Sequence, residues 1–100
     1  MKHYAIGFAP EAESDLIQLY DMIAEAASPV VAIGYIERIE AFCKVLETVP
    51  LGGTDRSDIR PGLRTIGFER RATIAYRVTG DRVEILRIFY GGQNWETKMQ

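Results

Sequence analysis

Seven arginines crowd one part of this 100-residue chain: Arg60, Arg64, Arg70, Arg71, Arg77, Arg82 and Arg87. A guanidinium stays protonated at neutral pH and presents a planar fork of donors that matches phosphate or carboxylate. Such a strip therefore invites anion binding. With a proton donor and acceptor beside it, the same strip would suit phosphodiester cleavage, where cations stabilise the charge developing on phosphate. The proton-transfer half of that chemistry is missing. His3 is the lone histidine, close to the N-terminus, and reads as a solvated or capping residue near a sheet edge. No second histidine or carboxylate cluster accompanies it, so no metal site is expected. Cys43 is the lone cysteine, which excludes an internal disulfide and a cysteine-based zinc site and fits inert core. Gly91-Gly92 is too short for a phosphate-cradling loop, which needs a glycine-rich run feeding a helix N-terminus. The expectation is no catalytic residue, no metal and no cofactor.

Two arginines carry more information than the rest. In a strictly alternating strand Arg87 shares a face with Ile85 and Phe89, which desolvates its guanidinium and obliges it to find a partner. A structural reading pairs it with Glu69, Glu84 or a backbone carbonyl, or stacks it on Tyr76. A functional reading places Arg60, Arg64, Arg87, Tyr90 and Trp95 on a surface that grips another macromolecule. Trp95 fits that reading as an exposed aromatic anchor; the alternative is that it folds back onto the sheet.

The elements that position these residues are legible in the pattern. Tyr4, Ile6 and Phe8 alternate in a first strand over 2–8. Pro10 suits a first helical turn, Glu11, Glu13 and Asp15 complement the helix dipole, and Ala12, Leu16, Leu19, Ile23 and Ala27 form an apolar stripe. This predicts a helix over 10–27. Ser28-Pro29 caps and opens a second helix with the stripe Ala32, Tyr35, Ile36, Ile39, Phe42 or Cys43, Leu46 and Val49, closed by Pro50. So short a connection folds the two into an antiparallel hairpin, each helix acidic outside and apolar inside. A polar loop over 51–62 follows. Three strands over 63–68, 71–79 and 82–90 come next, with turns at Glu69-Arg70 and Gly80-Asp81. Gly80 supplies the positive φ of a tight hairpin. Ala72, Ile74, Tyr76 and Val78 share one face of the middle strand. The last strand is apolar on both faces and is expected to be central and covered on both sides. Residues 91–100 read as a polar C-terminal tail. The result is an α+β fold, β-α-α-β-β-β, one domain over 1–100 with the helical hairpin on one face of an antiparallel sheet.

Composition agrees. An apolar content of 47% in 100 residues suffices for one core without staples. The N-terminal run MKHYAIGF resembles neither a signal peptide nor a membrane anchor, and no apolar run approaches the roughly 18 residues of a spanning helix. A reducing, cytoplasmic setting is expected. The net charge of −2 conceals an asymmetry: eight acids and three bases in residues 1–50, six acids and nine bases in 51–100. The basic half points to an anionic partner, or to two solvated faces that attract each other.

The ordered set of Phe8-Ala9-Pro10 with Ala12 and Asp15-Leu16, Pro50-Leu51-Gly52, Pro61-Gly62-Leu63-Arg64, Ile74-Ala75-Tyr76-Arg77-Val78, and Ile85-Leu86-Arg87-Ile88 leading to Tyr90-Gly91 resembles the ParE toxins of the ParE/RelE superfamily. The resemblance covers about residues 4–93. It implies the toxic half of a type II toxin–antitoxin pair, neutralised by a ParD-like ribbon-helix-helix antitoxin, reaching DNA only through that antitoxin, and poisoning DNA gyrase by binding. The RelE branch instead cleaves mRNA on the ribosome with basic residues on its second and third strands and a basic cluster after the last. Here Thr73 stands at the third-strand arginine position and Gly91-Gly92-Gln93 at the cluster. Tyr90 replaces a frequent histidine, and Ala9 replaces a frequent Ser or Thr helix cap. A ribosome-dependent endoribonuclease is therefore the alternative activity, and a non-toxic co-repressor the third reading.

Overall fold

Helix α1 (Pro10–Ala26) and helix α2 (Pro29–Cys43) pack on one another and on one face of a five-stranded sheet. The computed structural model describes residues 3–100; Lys2, placed by the pattern in the first strand, lies outside them. The strands are β1 (Ala5–Phe8), β2 (Thr54–Asp55), β3 (Arg64–Phe68), β4 (Ala72–Thr79) and β5 (Arg82–Tyr90), in the spatial order β1-β5-β4-β3-β2. The expected α+β class stands, with one departure: β1 runs parallel to β5, while every other pairing is antiparallel. A parallel neighbour requires a long crossover, and the whole helical hairpin lies within that connection.

Local chemistry explains the boundaries. Ser28 accepts the N–H of Val31 at 3.2 Å and Pro29 occupies the first turn, as the Ser-Pro pair predicts. Ala9 sits at the equivalent position of α1 and offers no side-chain cap. Helix α2 continues as a tighter 3-10 turn, Lys44–Glu47, whose Leu46 is fully buried. Val49, expected to extend the buried stripe, is 48% exposed. Gly80 takes φ +62°, as the hairpin requires.

The principal core joins Leu19, Tyr35, Ile39, Cys43 and Leu46 from the helices to Ile74, Tyr76, Val83, Ile85 and Ile88 from the sheet. A second cluster on the other side holds Leu63, Ala75, Phe89 and Met99, with Ile59, Leu86 and Trp95 against it. The alternation expected for β5 fails at one point. Ala75 pairs with Arg87, yet Tyr76 pairs with Ile85, so Leu86 is an extra, bulged residue. The bulge reverses the phase: Val83, Ile85 and Ile88 all serve the helix-side core, and Leu86 and Phe89 serve the other. The C-terminal residues do not project as a tail. A short helix α3 (Trp95–Lys98) lies over the second cluster and leaves Met99 only 2% exposed.

Candidate functional site

Strand β1 stops at Phe8, where the N–H of Ala9 donates to the carbonyl of Ile85 at 2.8 Å. Beyond that point β5 has an open edge. Asp15, from the second turn of α1, fills it: its Oδ2 accepts the N–H of Ile88 at 2.8 Å and Nε of Arg87 at 2.8 Å, and Oδ1 accepts Nη2 of Arg87 at 3.0 Å. The guanidinium lies 4.9 Å from the centroid of Phe89, and its hydrogen bond to Asp15 raises its pKa. Arg87 thus finds the partner its desolvation demands, but that partner is neither Glu69 nor Glu84. Glu69 is taken by Arg38, and Glu84 by Arg77 directly across the strand pair. A mostly polar cleft of about 260 Å³ lies beside this edge, lined by Asp15, Gln18, Met22, Arg87, Tyr90 and Lys98 among others. Arg87 and Tyr90 therefore share one site. Tyr90 also meets Tyr35 edge-on, ring centroids 5.7 Å apart, and its proximity raises the pKa of Arg71.

Arg64 lies elsewhere and is occupied by the fold. Its Nη2 donates to the carbonyls of Leu51 (3.0 Å) and Gly53 (2.8 Å), and Nη1 is 3.9 Å from Asp55. The hydroxyl of Tyr76, opposite Arg64 on β4, accepts the N–H of Gly53 at 2.9 Å. Any Cβ at Gly53 would come within 2.5 Å of the Thr65 carbonyl oxygen, so glycine permits this close approach. Arg64 and Tyr76 together tie the loop after α2 to the sheet. Arg60 is exposed on that side, in a turn whose backbone bonds run to Arg56 and Leu63.

Trp95 folds back while staying half-buried. It rests against the second cluster, with the Arg56 guanidinium 5.1 Å from its ring centroid. Arg56 donates to Asp58 and Glu96, both at 3.0 Å, which raises its pKa and lowers that of Asp58. Arg56 did not stand out in the sequence, because its partners are 2 and 40 positions away. The five residues expected on one surface divide into Arg87 with Tyr90, Arg64 with Arg60 nearby in the chain, and Trp95 on the far side of the sheet.

At the positions where a nuclease would carry its cations, Thr73 pairs with Phe89, and Gly91 turns the chain at φ +73° with its N–H on the carbonyl of Arg71. Cys43 is fully buried, and burial pushes its thiol pKa up to about 12, so it is no nucleophile. Among the described residues no group of three or more His, Cys, Asp or Glu side chains could hold a metal, and no helix is long and apolar enough to cross a membrane.

The hairpin's outer face is less acidic than its sequence suggests. Ile17, Val30, Val31 and Ile33 are exposed there, Ile17 by 64% and Val30 by 79%. A groove of about 290 Å³ runs between the helices, floored by Leu16, Ile17, Tyr20 and Ile36 and rimmed by Glu13 and Glu40. The signal was available: Ile17, Val31 and Ile33 fall outside both predicted stripes.

Comparison with known proteins places this geometry in context. Residues 6–95 match the family model described as ParE toxin of type II toxin-antitoxin system, parDE. The chain is 39% identical over 80 residues to Toxin ParE3 of Caulobacter vibrioides, covering 80% of this chain and 79% of that one. It superposes on a chain of the chromosomal ParDE toxin–antitoxin system from P. aeruginosa with a TM-score of 0.78 at 29% identity, over 89% of this chain and 97% of that one. A chain of the RelBE2 toxin–antitoxin complex from Mycobacterium tuberculosis shares the fold, with a TM-score of 0.67 at 22% identity over 93% and 97% of the two chains.

Proposed function

Because this chain belongs to the ParE toxin family of type II toxin–antitoxin systems, we propose that it acts in the cytoplasm by binding and poisoning DNA gyrase, and that a ParD-like antitoxin neutralises it. The observation that carries action by binding is the commitment of the best-placed cations. Arg64 is spent on two backbone carbonyls and Arg87 on Asp15, and neither has a group beside it that exchanges a proton near neutral pH. Gyrase is the target the ParE resemblance implies. The hairpin groove supports the antitoxin half of the reading. Its apolar floor between two glutamates suits one face of an amphipathic helix, and DNA would be reached only through the antitoxin.

The test is expression of the chain alone, with growth, DNA-damage response and transcript ends followed together. The proposal expects arrest, induction of the damage response and unchanged transcript ends. In-frame cuts in mRNA would replace it with ribosome-dependent cleavage. Harmless expression, with an antitoxin complex that still binds its operator, would replace it with co-repression.

A further inference from the structure

The sheet end opposite Gly80 carries an unusual corner. Glu69 and Arg70 join β3 to β4 with φ +48° and +62°, a turn geometry that favours Asn and Gly and strains other side chains. Arg38 of α2 pins this turn, with Nε 2.9 Å and Nη2 3.2 Å from the two carboxylate oxygens of Glu69. The Arg38 guanidinium carbon stands 5.2 Å from the centroid of Tyr35, a residue only 6% exposed whose hydroxyl has no hydrogen-bond partner. The charged and polar groups that act on that hydroxyl are Tyr90, Glu69, Arg38 and Arg71. Tyr90 lies near enough to Arg71 to raise the pKa of that guanidinium, and Arg70, next to it in the chain, is exposed. Glu69 is the carboxylate bonded at this corner, and it serves Arg38.

We propose that this corner is a binding site for a carboxylate of an acidic peptide segment on the protein partner, and that Glu69 holds the place of that carboxylate in the unbound chain. The inference rests on the reading that a protein antitoxin sequesters this toxin. A carboxylate is the natural fit for an arginine fork, and none of the ion pairs among the described residues uses Arg71. Burial raises the Tyr35 pKa, so its hydroxyl is a donor at neutral pH. It is the orphan group that an incoming acceptor would satisfy. A peptide suits the corner better than nucleic acid, because Glu37 and Glu40, exposed on the same helix as Arg38, repel a continuous polyphosphate.

The probe is the blocked tetrapeptide Leu-Glu-Leu-Glu, titrated into the full chain by NMR, with Leu-Gln-Leu-Gln and a short oligothymidylate as comparisons. The glutamate peptide should bind more tightly than either. Arg71→Gln should weaken it about tenfold, the scale of a lost charge-assisted pair. The charge-matched Arg82→Gln, at the other end of the sheet, should change it less than about twofold. Glu69→Gln should tighten binding about threefold or more by releasing Arg38, whereas Glu84→Gln, which releases Arg77 remotely, should not. Circular dichroism confirms that each variant is folded. Equal effects of the paired variants, or tighter binding of the oligothymidylate, would overturn the proposal. Growth arrest without peptide binding would sink the corner and spare the toxin reading; binding by a harmless protein would do the reverse.

Discussion

Asp15 satisfies three donors at the open edge of β5, two on Arg87 and the N–H of Ile88. Its side chain is 12% exposed and that of Arg87 is 29% exposed. Asp15→Ala would strand a part-buried cation and a strand-edge N–H together, so urea unfolding should show a loss of about 2–3 kcal/mol. A loss below about 0.5 kcal/mol would mean that water replaces the carboxylate without cost. In the sequence Asp15 announces itself only as one of the acids near the start of α1, and nothing local joins it to a residue 72 positions away. Cys43 is a contrasting case, readable as core from its stripe. Burial lifts its thiol from 9.0 to about 12, so the folded protein keeps a proton that the unfolded chain gives up in that window. The resulting stabilisation is complete below pH 9.0 and lost as pH rises towards 12. Thiol reagents at pH 8 should label Cys43 only after denaturant is added; rapid labelling of the native protein would contradict this burial.

The helices show how far local chemistry reaches. Pro10 and Ser28-Pro29 locate both helix starts, and α1 ends within a residue of expectation, but α2 gives way at Cys43 to the 3-10 turn Lys44–Glu47, short of the Val49 end that the apolar spacing suggests. The capping difference between them is testable. Ala9 has the extended backbone of an N-cap (φ −64°, ψ 154°) but no side-chain acceptor, so Ala9→Ser should stabilise the fold by about 1 kcal/mol, and Ser28→Ala should cost about as much. Thermal melts of the two variants should shift in opposite directions. The strands were less legible. Their limits and the Gly80 turn follow from alternation and turn chemistry, but the bulge at Leu86 does not. An extra residue in β5 depends on how Ala75 and Tyr76 are placed opposite it, and period-two reading of one strand contains no such information. The two-residue β2 escapes for a related reason: Thr54 and Asp55 become a strand only because Thr65 and Arg64 lie alongside.

At the scale of the molecule, the sheet separates two cores of unequal size, and the second depends on the last residues of the chain. Met99 completes the cluster of Leu63, Ala75 and Phe89. Met99→Ala should cost about 2–3 kcal/mol, and removal of residues 95–100 should expose Phe89 and promote self-association, read by light scattering. A truncated chain that stays monomeric and equally stable would show α3 to be dispensable. The C-terminal residues read as polar because their one buried side chain is flanked by Lys98 and Gln100. Fold class and family were nevertheless accessible, since both rest on the order of motifs along the whole chain. The candidate site was accessible only by residue type. Sequence identifies Arg87 as a residue needing a partner and Arg64 and Trp95 as candidates for a partner-gripping surface, and the three-dimensional arrangement gives all three contacts inside the molecule. That internal commitment favours action by binding. It is tested most directly by adding the purified chain to DNA gyrase at roughly micromolar concentration and measuring supercoiling and gyrase–DNA cleavage complexes, with antitoxin as the control. Action by binding to gyrase predicts lost supercoiling and accumulated cleavage complexes, both reversed by antitoxin; unchanged gyrase activity would contradict it.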